Sequence, residues 1–328
     1  MKFFRRHLWA VLYSVLLAAF TVYISLDTFV ISRVYAEAPQ ADTSYENAEA
    51  EESGEAEGTS GESDSSSGRK KHKKKSGVSE EEETETVADS SYNDGGISIT
   101  LTEYREYDTA IYVADIVLSS AEYLKTAFAQ NAYGRNVTAI TSEIAEDAGA
   151  ILAINGDYYG ARQQGYVIRN GVLYRDTAAS DQEDLVIYDD GTFGIISEEE
   201  SAAQALLEDG AVQVLSFGPA LVVDGAISVS EGDEVGKAKA SNPRTAIGVI
   251  DDLHYVFVVS DGRTEESEGL SLSELAEFME GLDVQTAYNL DGGGSSTLYF
   301  NGEVINQPTT NGKKIGERSV SDIVCIGY

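Results

Sequence analysis

Only one cysteine, Cys325, and three histidines, His7, His72 and His254, occur in 328 residues. A single cysteine excludes an intrachain disulfide and any cysteine-built zinc site. So few histidines exclude a histidine-rich metal centre. A Ser-His-Asp triad would have His254 alone to draw on in the folded part of the chain. Hydrolytic chemistry here therefore runs on carboxylates, amides and arginines, or on an oxygen-ligated metal. Basic residues are scarce as well: 23 Lys and Arg stand against 56 Asp and Glu, a formal net charge of −33. Nucleic-acid binders need a basic face to release counterions from phosphates, so no nucleic-acid partner is expected.

Charge is missing altogether from Leu8 to Leu26, a run of 19 residues preceded by Lys2, Arg5 and Arg6. As a helix this run spans about 28 Å, close to the hydrocarbon core of a bilayer. Basic residues ahead of it place the N-terminus inside and the rest of the chain outside. Residues 1–36 thus read as a signal anchor, with membrane contact through residues 8–31. The alternative is a cleaved signal peptide, since Val34-Tyr35-Ala36 suits a small-residue cleavage site. Either way the chain is exported. Near-absence of cysteine fits a bacterial membrane protein with an extracytoplasmic domain, or a secreted protein if the signal is cleaved.

Large apolar side chains are almost absent from residues 37–96, where 6 basic residues face 17 acidic ones. Such a segment cannot bury enough surface to offset its ordering entropy, and it reads as a disordered acidic linker. Its basic block, Arg69 to Lys75, reads as part of a solvated spacer rather than as a contact for anionic wall polymer or lipid headgroups.

Residues 97–328 form one domain of sufficient size for a sizeable core. Four Asx-Gly pairs sit between apolar stretches: Asn170-Gly171, Asp190-Gly191, Asp224-Gly225 and Asn301-Gly302. Each predicts a hairpin, because two-residue turns of this kind need positive φ at both positions. Helices are fewer. Ser271 and Glu274 make a capping box before an apolar stripe ending near Gly281. Ser142–Ala148, Ser197–Glu208 and Ala121–Ala129 are further helix candidates. The expected fold class is α+β: a mixed, largely antiparallel sheet with several hairpins and a few packed helices.

Chemistry concentrates in Tyr288-Asn-Leu-Asp-Gly-Gly-Gly-Ser-Ser-Thr297. Asn289 and Asp291 alternate at a strand end and so share a face. Gly292, Gly293 and Gly294 let backbone approach a ligand and offer amides to an anion, and Ser295 and Ser296 add hydroxyls. No Gly-Lys-Ser/Thr follows, which rejects a nucleotide P-loop. A second strand runs into Asn155-Gly156-Asp157-Tyr158-Tyr159, where carboxylate and aromatic groups suit a sugar ring. Arg244 opens a strand in Asn-Pro-Arg-Thr-Ala-Ile-Gly. Arg318 precedes the last strand, in Gly-Glu-Arg-Ser-Val. In so acidic a domain both are candidate anion clamps, with Arg263 a weaker third.

These motifs in this order, with Phe-Gly-Pro-Ala-Leu-Val-Val-Asp-Gly between them, resemble the phosphodiester glycosidase family over residues 97–328. The resemblance implies cleavage between a sugar anomeric carbon and a phosphodiester oxygen. It also implies a site lined by Asn155, Arg244, Asn289, Asp291, the Gly292–Gly294 loop, Ser295, Ser296 and Arg318. Bacterial members of the family are exopolysaccharide-related. The expected partner is a glycan or sugar-phosphodiester of the envelope, and Asp291 is the expected catalytic carboxylate. Asp157 or Glu317 is the candidate second one. The rival reading is a non-catalytic glycan-binding module of the bacterial envelope, which would keep aromatics and amides but not need Asp291. No cofactor is specified. A divalent cation such as calcium suits so many hard oxygen ligands, no EF-hand spacing supports it, and the metal question stays open.

Overall fold

The computed structural model describes residues 2–39, 90–229 and 241–328. The expected linker lies, over 40–89, outside the described residues. Strands dominate, and every strand pairing among the described residues is antiparallel. The largest sheet has eight strands. Its centre is Thr286–Asn289, Arg244–Asp251, His254–Ser260 and Thr109–Leu118, with Ile97–Glu106 and Ser91–Asn93 continuing to one edge. A five-stranded sheet runs Glu303–Val304, Leu298–Phe300, Leu152–Asn155, Asp322–Ile326, Leu124–Phe128. A third sheet is built around Glu183–Tyr188, Ala211–Leu215 and Val167–Arg169.

One continuous core joins all three. Ile99, Ile116 and Phe257 come from the first sheet, Ile154, Leu298 and Val324 from the second, Leu185 and Leu215 from the third. Burying such side chains supplies the main driving force, about 1.5–3 kcal/mol for each large one. The helix Leu272–Glu280 covers the other face of the eight-stranded sheet through Leu272, Leu275, Ala276 and Met279. Its capping box is present as expected: Ser271 Oγ accepts from the Glu274 amide while the Glu274 carboxylate accepts from the Ser271 amide. The helix Thr141–Asp147 covers the outer face of the five-stranded sheet through Ile144 and Ala145.

All four Asx-Gly pairs connect hairpin strands. Asn170-Gly171, Asp224-Gly225 and Asn301-Gly302 have both φ values positive, whereas at the Asp190 turn only Gly191 does. Two expected helices differ. Ala121–Ala129 holds a single 3₁₀ turn, Ala121–Tyr123, and then the strand Leu124–Phe128. Leu124, Thr126 and Phe128 alternate inward with period two and pair with Asp322–Ile326, so tertiary pairing overrides local helix propensity. In Ser197–Glu208 the helix is confined to Ala203–Glu208. Ser197 closes a strand instead of capping a helix, because Glu198 turns inward to accept from the Tyr166 amide (2.8 Å) and Ser216 Oγ (3.1 Å).

Two short strands lie outside residues 97–328. Ser91–Asn93 pairs with Ile97–Glu106, and Arg33–Glu37 pairs with Ala132–Arg135. The first of these, from the stretch read as linker, adds an edge strand to the eight-stranded sheet, and the second makes a separate two-stranded sheet.

Asp184 lies fully buried in the third sheet with no donor on either carboxylate oxygen. Burial and the neighbouring Glu198 push its carboxyl up to about 9. The unfolded chain ionises this group near pH 4, so between about pH 4 and that value the unfolded state binds fewer protons and stability falls as pH rises. Asp184→Asn keeps the shape without the ionisation. Urea midpoints should show the variant gaining on the parent by about 1–3 kcal/mol between mildly acidic and mildly alkaline buffer. An equal difference at both pH values would refute the protonated Asp184.

Candidate active site

The segment Asn289–Leu298 carries the chain from the eight-stranded sheet into the five-stranded one. A crossover between sheets must turn sharply, and glycine makes that turn. Gly293 has φ +67°, and a Cβ there would lie 2.8 Å from Arg263 Nη2. At Gly294 a Cβ would lie 2.5 Å from Thr310 Oγ1. Only glycine fits between these neighbours. The loop amides largely serve this turn: Gly293 donates to Pro243 O (2.8 Å) and Ser296 to Gly293 O (3.2 Å). Of the three glycine amides expected to cup an anion, that of Gly293 is engaged in this way.

Asp291 and Arg318, 27 residues apart, meet above this turn. Arg318 Nη2 donates to Asp291 Oδ2 at 2.8 Å, and Ser295 Oγ donates to the same oxygen at 2.7 Å. Arg318 Nε in turn donates to Ser295 Oγ at 2.8 Å. The Asp291 side chain is 14% exposed and that of Arg318 is 40% exposed. Burial pushes the Asp291 carboxyl above the usual carboxylate range, against the opposing pull of Arg318 and Ser295. Asp291 is therefore more basic than an ordinary surface aspartate.

Both groups open onto a cavity of about 350 Å³ whose wall includes Asn136, Tyr158 and Ser321. Tyr158 is 47% exposed and lines this space, while Tyr159 is buried in an aromatic cluster with Phe128 and Tyr133.

Other expected residues brace this centre from behind. Asn155 is fully buried; its Nδ2 donates to Asp291 O (2.6 Å) and its Oδ1 accepts from Thr245 Oγ1 (2.8 Å) and the Thr297 amide (3.2 Å). It staples the Gly-rich loop to both sheets. Asn289 is buried, donating to Gly218 O at 2.7 Å, and does not share an open face with Asp291. Ser296 is buried too. Arg244 is 9% exposed and its Nε donates to Leu270 O (2.8 Å), behind Gly292. Arg263, the weaker candidate, is exposed and lies against Gly293, held by Asn242 Oδ1 (2.8 Å) and Thr310 O (2.7 Å). It adopts φ +64°, which is uncommon for a side chain of this size and concentrates at functional sites.

Both candidate second carboxylates are hydrogen-bonded within the fold. Asp157 is 2% exposed, paired with Arg169 (2.8 Å) and accepting from the Tyr159 and Ser216 amides, each at 2.9 Å. Arg169 also pairs with Asp322 at 2.8 Å, so one buried guanidinium holds two buried carboxylates under the cavity floor. Burial and the charge of Asp157 push Asp322 up, with Arg169 opposing. Glu317 caps the helix Thr141–Asp147, accepting from the Ser142 amide (2.9 Å) and Ser142 Oγ (2.6 Å). Among the described residues, no three His, Cys, Asp or Glu side chains gather as a metal-binding group.

Sequence reasoning passed over Arg169, Asp322 and Asn136. An arginine inside the buried strand Val167–Arg169 was the available signal for the first, since such a charge needs a buried partner.

A family model described as phosphodiester glycosidase matches residues 148–327. The chain is 32% identical over 186 residues to YomE, an uncharacterized SPbeta prophage-derived protein of Bacillus subtilis, covering 55% of this chain and 28% of that protein. It is 31% identical over 205 residues to N-acetylglucosamine-1-phosphodiester alpha-N-acetylglucosaminidase of Mus musculus, covering 57% of this chain and 40% of that protein. The match thus spans well under half the length of these relatives. Among solved structures, the zebrafish enzyme of the same name, as a catalytic domain auto-inhibited by its pro-peptide, superposes with a TM-score of 0.57 at 22% identity, over 71% of this chain and 83% of that one. A hypothetical protein from Synechocystis superposes with a TM-score of 0.54 at 16% identity, over 70% and 62% of the two chains.

Proposed function

Because the chain belongs to the phosphodiester glycosidase family, we propose that it hydrolyses the bond between a sugar anomeric carbon and the oxygen of a phosphodiester, in glycans of a bacterial envelope. The observation that carries this is the Asp291–Ser295–Arg318 cluster, a carboxylate and a guanidinium side by side at one cavity. A phosphate monoester leaves without needing a proton, so a second carboxylic acid matters less than in an ordinary glycosidase. That suits a site whose other carboxylates are tied into the fold. Asp291, ionised, faces the positive charge that develops at the anomeric carbon and serves the incoming water. Arg318, with Arg263 on the other side of the Gly-rich loop, stabilises the departing phosphate. Tyr158 offers its face to the sugar ring. Asn155, Asn289 and Arg244 position the loop, and Asp157 anchors the floor.

The apolar helix and its preceding basic residues support an anchored, extracytoplasmic placement of the domain. The test of activity is release of free sugar from a panel of sugar-1-phosphodiesters by the full chain. Protease added to intact cells tests the placement: the domain should be digested, and complete protection would contradict export.

The raised carboxyl of Asp291 sets a pH expectation. The working form is ionised, so kcat/KM falls as pH drops through the elevated Asp291 value. Arg318→Gln removes the group that most opposes the rise. Its acid limb should move to higher pH, and its maximal rate should fall by about a hundredfold or more, as for loss of one preorganised donor. An acid limb that stays in place would separate Asp291 from the observed ionisation.

A further inference from the structure

The helix Lys2–Phe29 contains a 20-residue span of membrane-compatible hydropathy, Trp9–Thr28, which is uncharged as far as Leu26 and exposed from Val11 to Leu26. At 1.5 Å per residue this span matches the roughly 30 Å hydrocarbon layer, so Thr28 marks its outer edge. The residues just after it are bonded to the domain. Asn136 Nδ2 donates to Thr28 O (3.2 Å) and Ile31 O (3.1 Å), Arg135 Nη2 donates to Thr28 O (3.2 Å), and Ser32 Oγ donates to Asn136 O (2.7 Å). From Arg33 onward the chain is paired with the domain, as Arg33–Glu37 against Ala132–Arg135. Gly134 is a glycine because a Cβ there would collide with Arg33 O.

Asn136 therefore has two roles. It caps the last carbonyls of the helix, and its side of the chain forms the wall of the cavity that holds Asp291 and Arg318. The cavity rim lies one hydrogen bond from the end of the apolar span. Headgroups occupy only several ångströms beyond the hydrocarbon on each side, so this rim sits at headgroup depth.

A second observation points the same way. Beside this wall a further cavity of about 290 Å³ is bordered by Arg33, Arg135, Arg162 and Arg175. Arg162 and Arg175 spend their contacts on backbone carbonyls and the Gln182 side chain, and Arg175 Nη2 is buried with no hydrogen-bond partner. Four arginines gather here, at the helix end: Arg33, which pairs with Asp27, and three from residues 97–328, a stretch with only 13 basic residues against 38 acidic ones. A cluster of this kind suits the phosphate groups of a membrane surface, where an accessible basic side chain adds about 1 kcal/mol of attraction.

We infer that the substrate is a sugar-1-phosphodiester whose second ester is a lipid alcohol seated in the same bilayer as the helix. This rests on the phosphodiester glycosidase reading above. Water attacks the anomeric carbon, the bond from that carbon to the phosphate oxygen breaks with its electron pair going to the phosphate, and free sugar leaves. The lipid phosphate monoester stays in the membrane, and the proton of water passes through Asp291 to solvent. Holding enzyme and substrate in one bilayer raises their effective concentration, which a soluble substrate does not share.

The test uses the full chain in phosphatidylcholine vesicles containing anionic phosphatidylglycerol. Each sugar of a panel is presented as its 1-phosphodiester in two forms, one esterified to a long-chain polyprenol in the vesicles and one to methanol in solution. The lipid form should be hydrolysed at least about tenfold faster at matched total concentration, as expected when tethering supplies the encounter. A second chain carries a twenty-residue Gly/Ser insert after Val30, which lifts the domain off the helix end. It should keep the parent rate on the methyl ester and lose the advantage on the lipid. Hydrolysis of the methyl esters alone would overturn the lipid substrate and leave the glycosidase standing. Cleavage of neither form would overturn both. An insert chain as fast as the parent on lipid would overturn the positional argument. So would a mature N-terminus at Glu37, which removes the helix and the paired strand together.

Discussion

Asp291→Asn should leave a folded protein that still binds its sugar phosphodiester but turns it over at least about a hundredfold more slowly, the low end for a positioned acid–base group. The substitution keeps the side-chain shape and one oxygen to accept from Ser295 and Arg318, and removes only the charge. Loss of charge matters because the anomeric carbon becomes cationic as the phosphate departs, and because Arg318 then lacks its counter-charge. The contrasting role for Asp291 is to shape the glycine turn. In that role Asn would substitute well, since Asx residues support such turns almost equally. Parallel measurement of kcat, KM and the unfolding midpoint separates the two. Near-normal kcat in a folded variant would take Asp291 off the list of catalytic groups and revive the glycan-binding module.

Arg169→Met should have the largest effect on stability. Arg169, Asp157 and Asp322 are each 2% exposed or less, and the guanidinium holds both carboxylates. Methionine fills similar volume but leaves two buried carboxylates without a cation, a loss of about 3–5 kcal/mol. That is a large share of the 5–15 kcal/mol typical of a domain. The sign with pH follows from the direction of the Asp322 shift. Burial already favours its protonated form, and removal of Arg169 favours it further, so the deficit should shrink as pH falls and Asp322 becomes neutral. Urea unfolding at neutral and mildly acidic pH checks this. Replacing Asp157 and Asp322 by Asn in the same chain should restore much of the stability, because no unpaired charge is then buried. A deficit independent of pH would instead indicate lost packing alone.

Hairpins were the most legible part of the fold, because an Asx-Gly pair states its backbone conformation locally. The turns at Tyr107-Asp108 and Asp252-Leu253 carry no glycine, and their left-handed residues left no such mark in the sequence. The false helices had a common cause. Ala121–Ala129 and Ser197–Glu208 contain good helix formers, but Leu124, Phe128 and Glu198 answer to partners far along the chain. Within the site, Asp291 and Arg318 were each legible as candidates from their motifs, but their contact across 27 residues was not. Glu317 and Asp157 were chemically suitable carboxylates whose oxygens proved to be occupied, by Ser142 in one case and by Arg169 with two amides in the other. The relative standing of Arg244 and Arg263 also depended on exposure, which motif position does not encode. Asn136 could not be singled out at all, since its placement depends on a strand about a hundred residues earlier.

The central claim is that water attacks carbon and not phosphorus, and hydrolysis in ¹⁸O-labelled water tests it directly. The full chain is incubated with a sugar-1-phosphodiester panel in labelled water, and products are read by mass spectrometry before the free sugar exchanges its anomeric oxygen. Cleavage at the anomeric carbon places the label on the sugar and leaves the phosphate monoester unlabelled. Label in the phosphate would make the protein a phosphodiesterase using the same arginines, and would contradict the role given to Asp291.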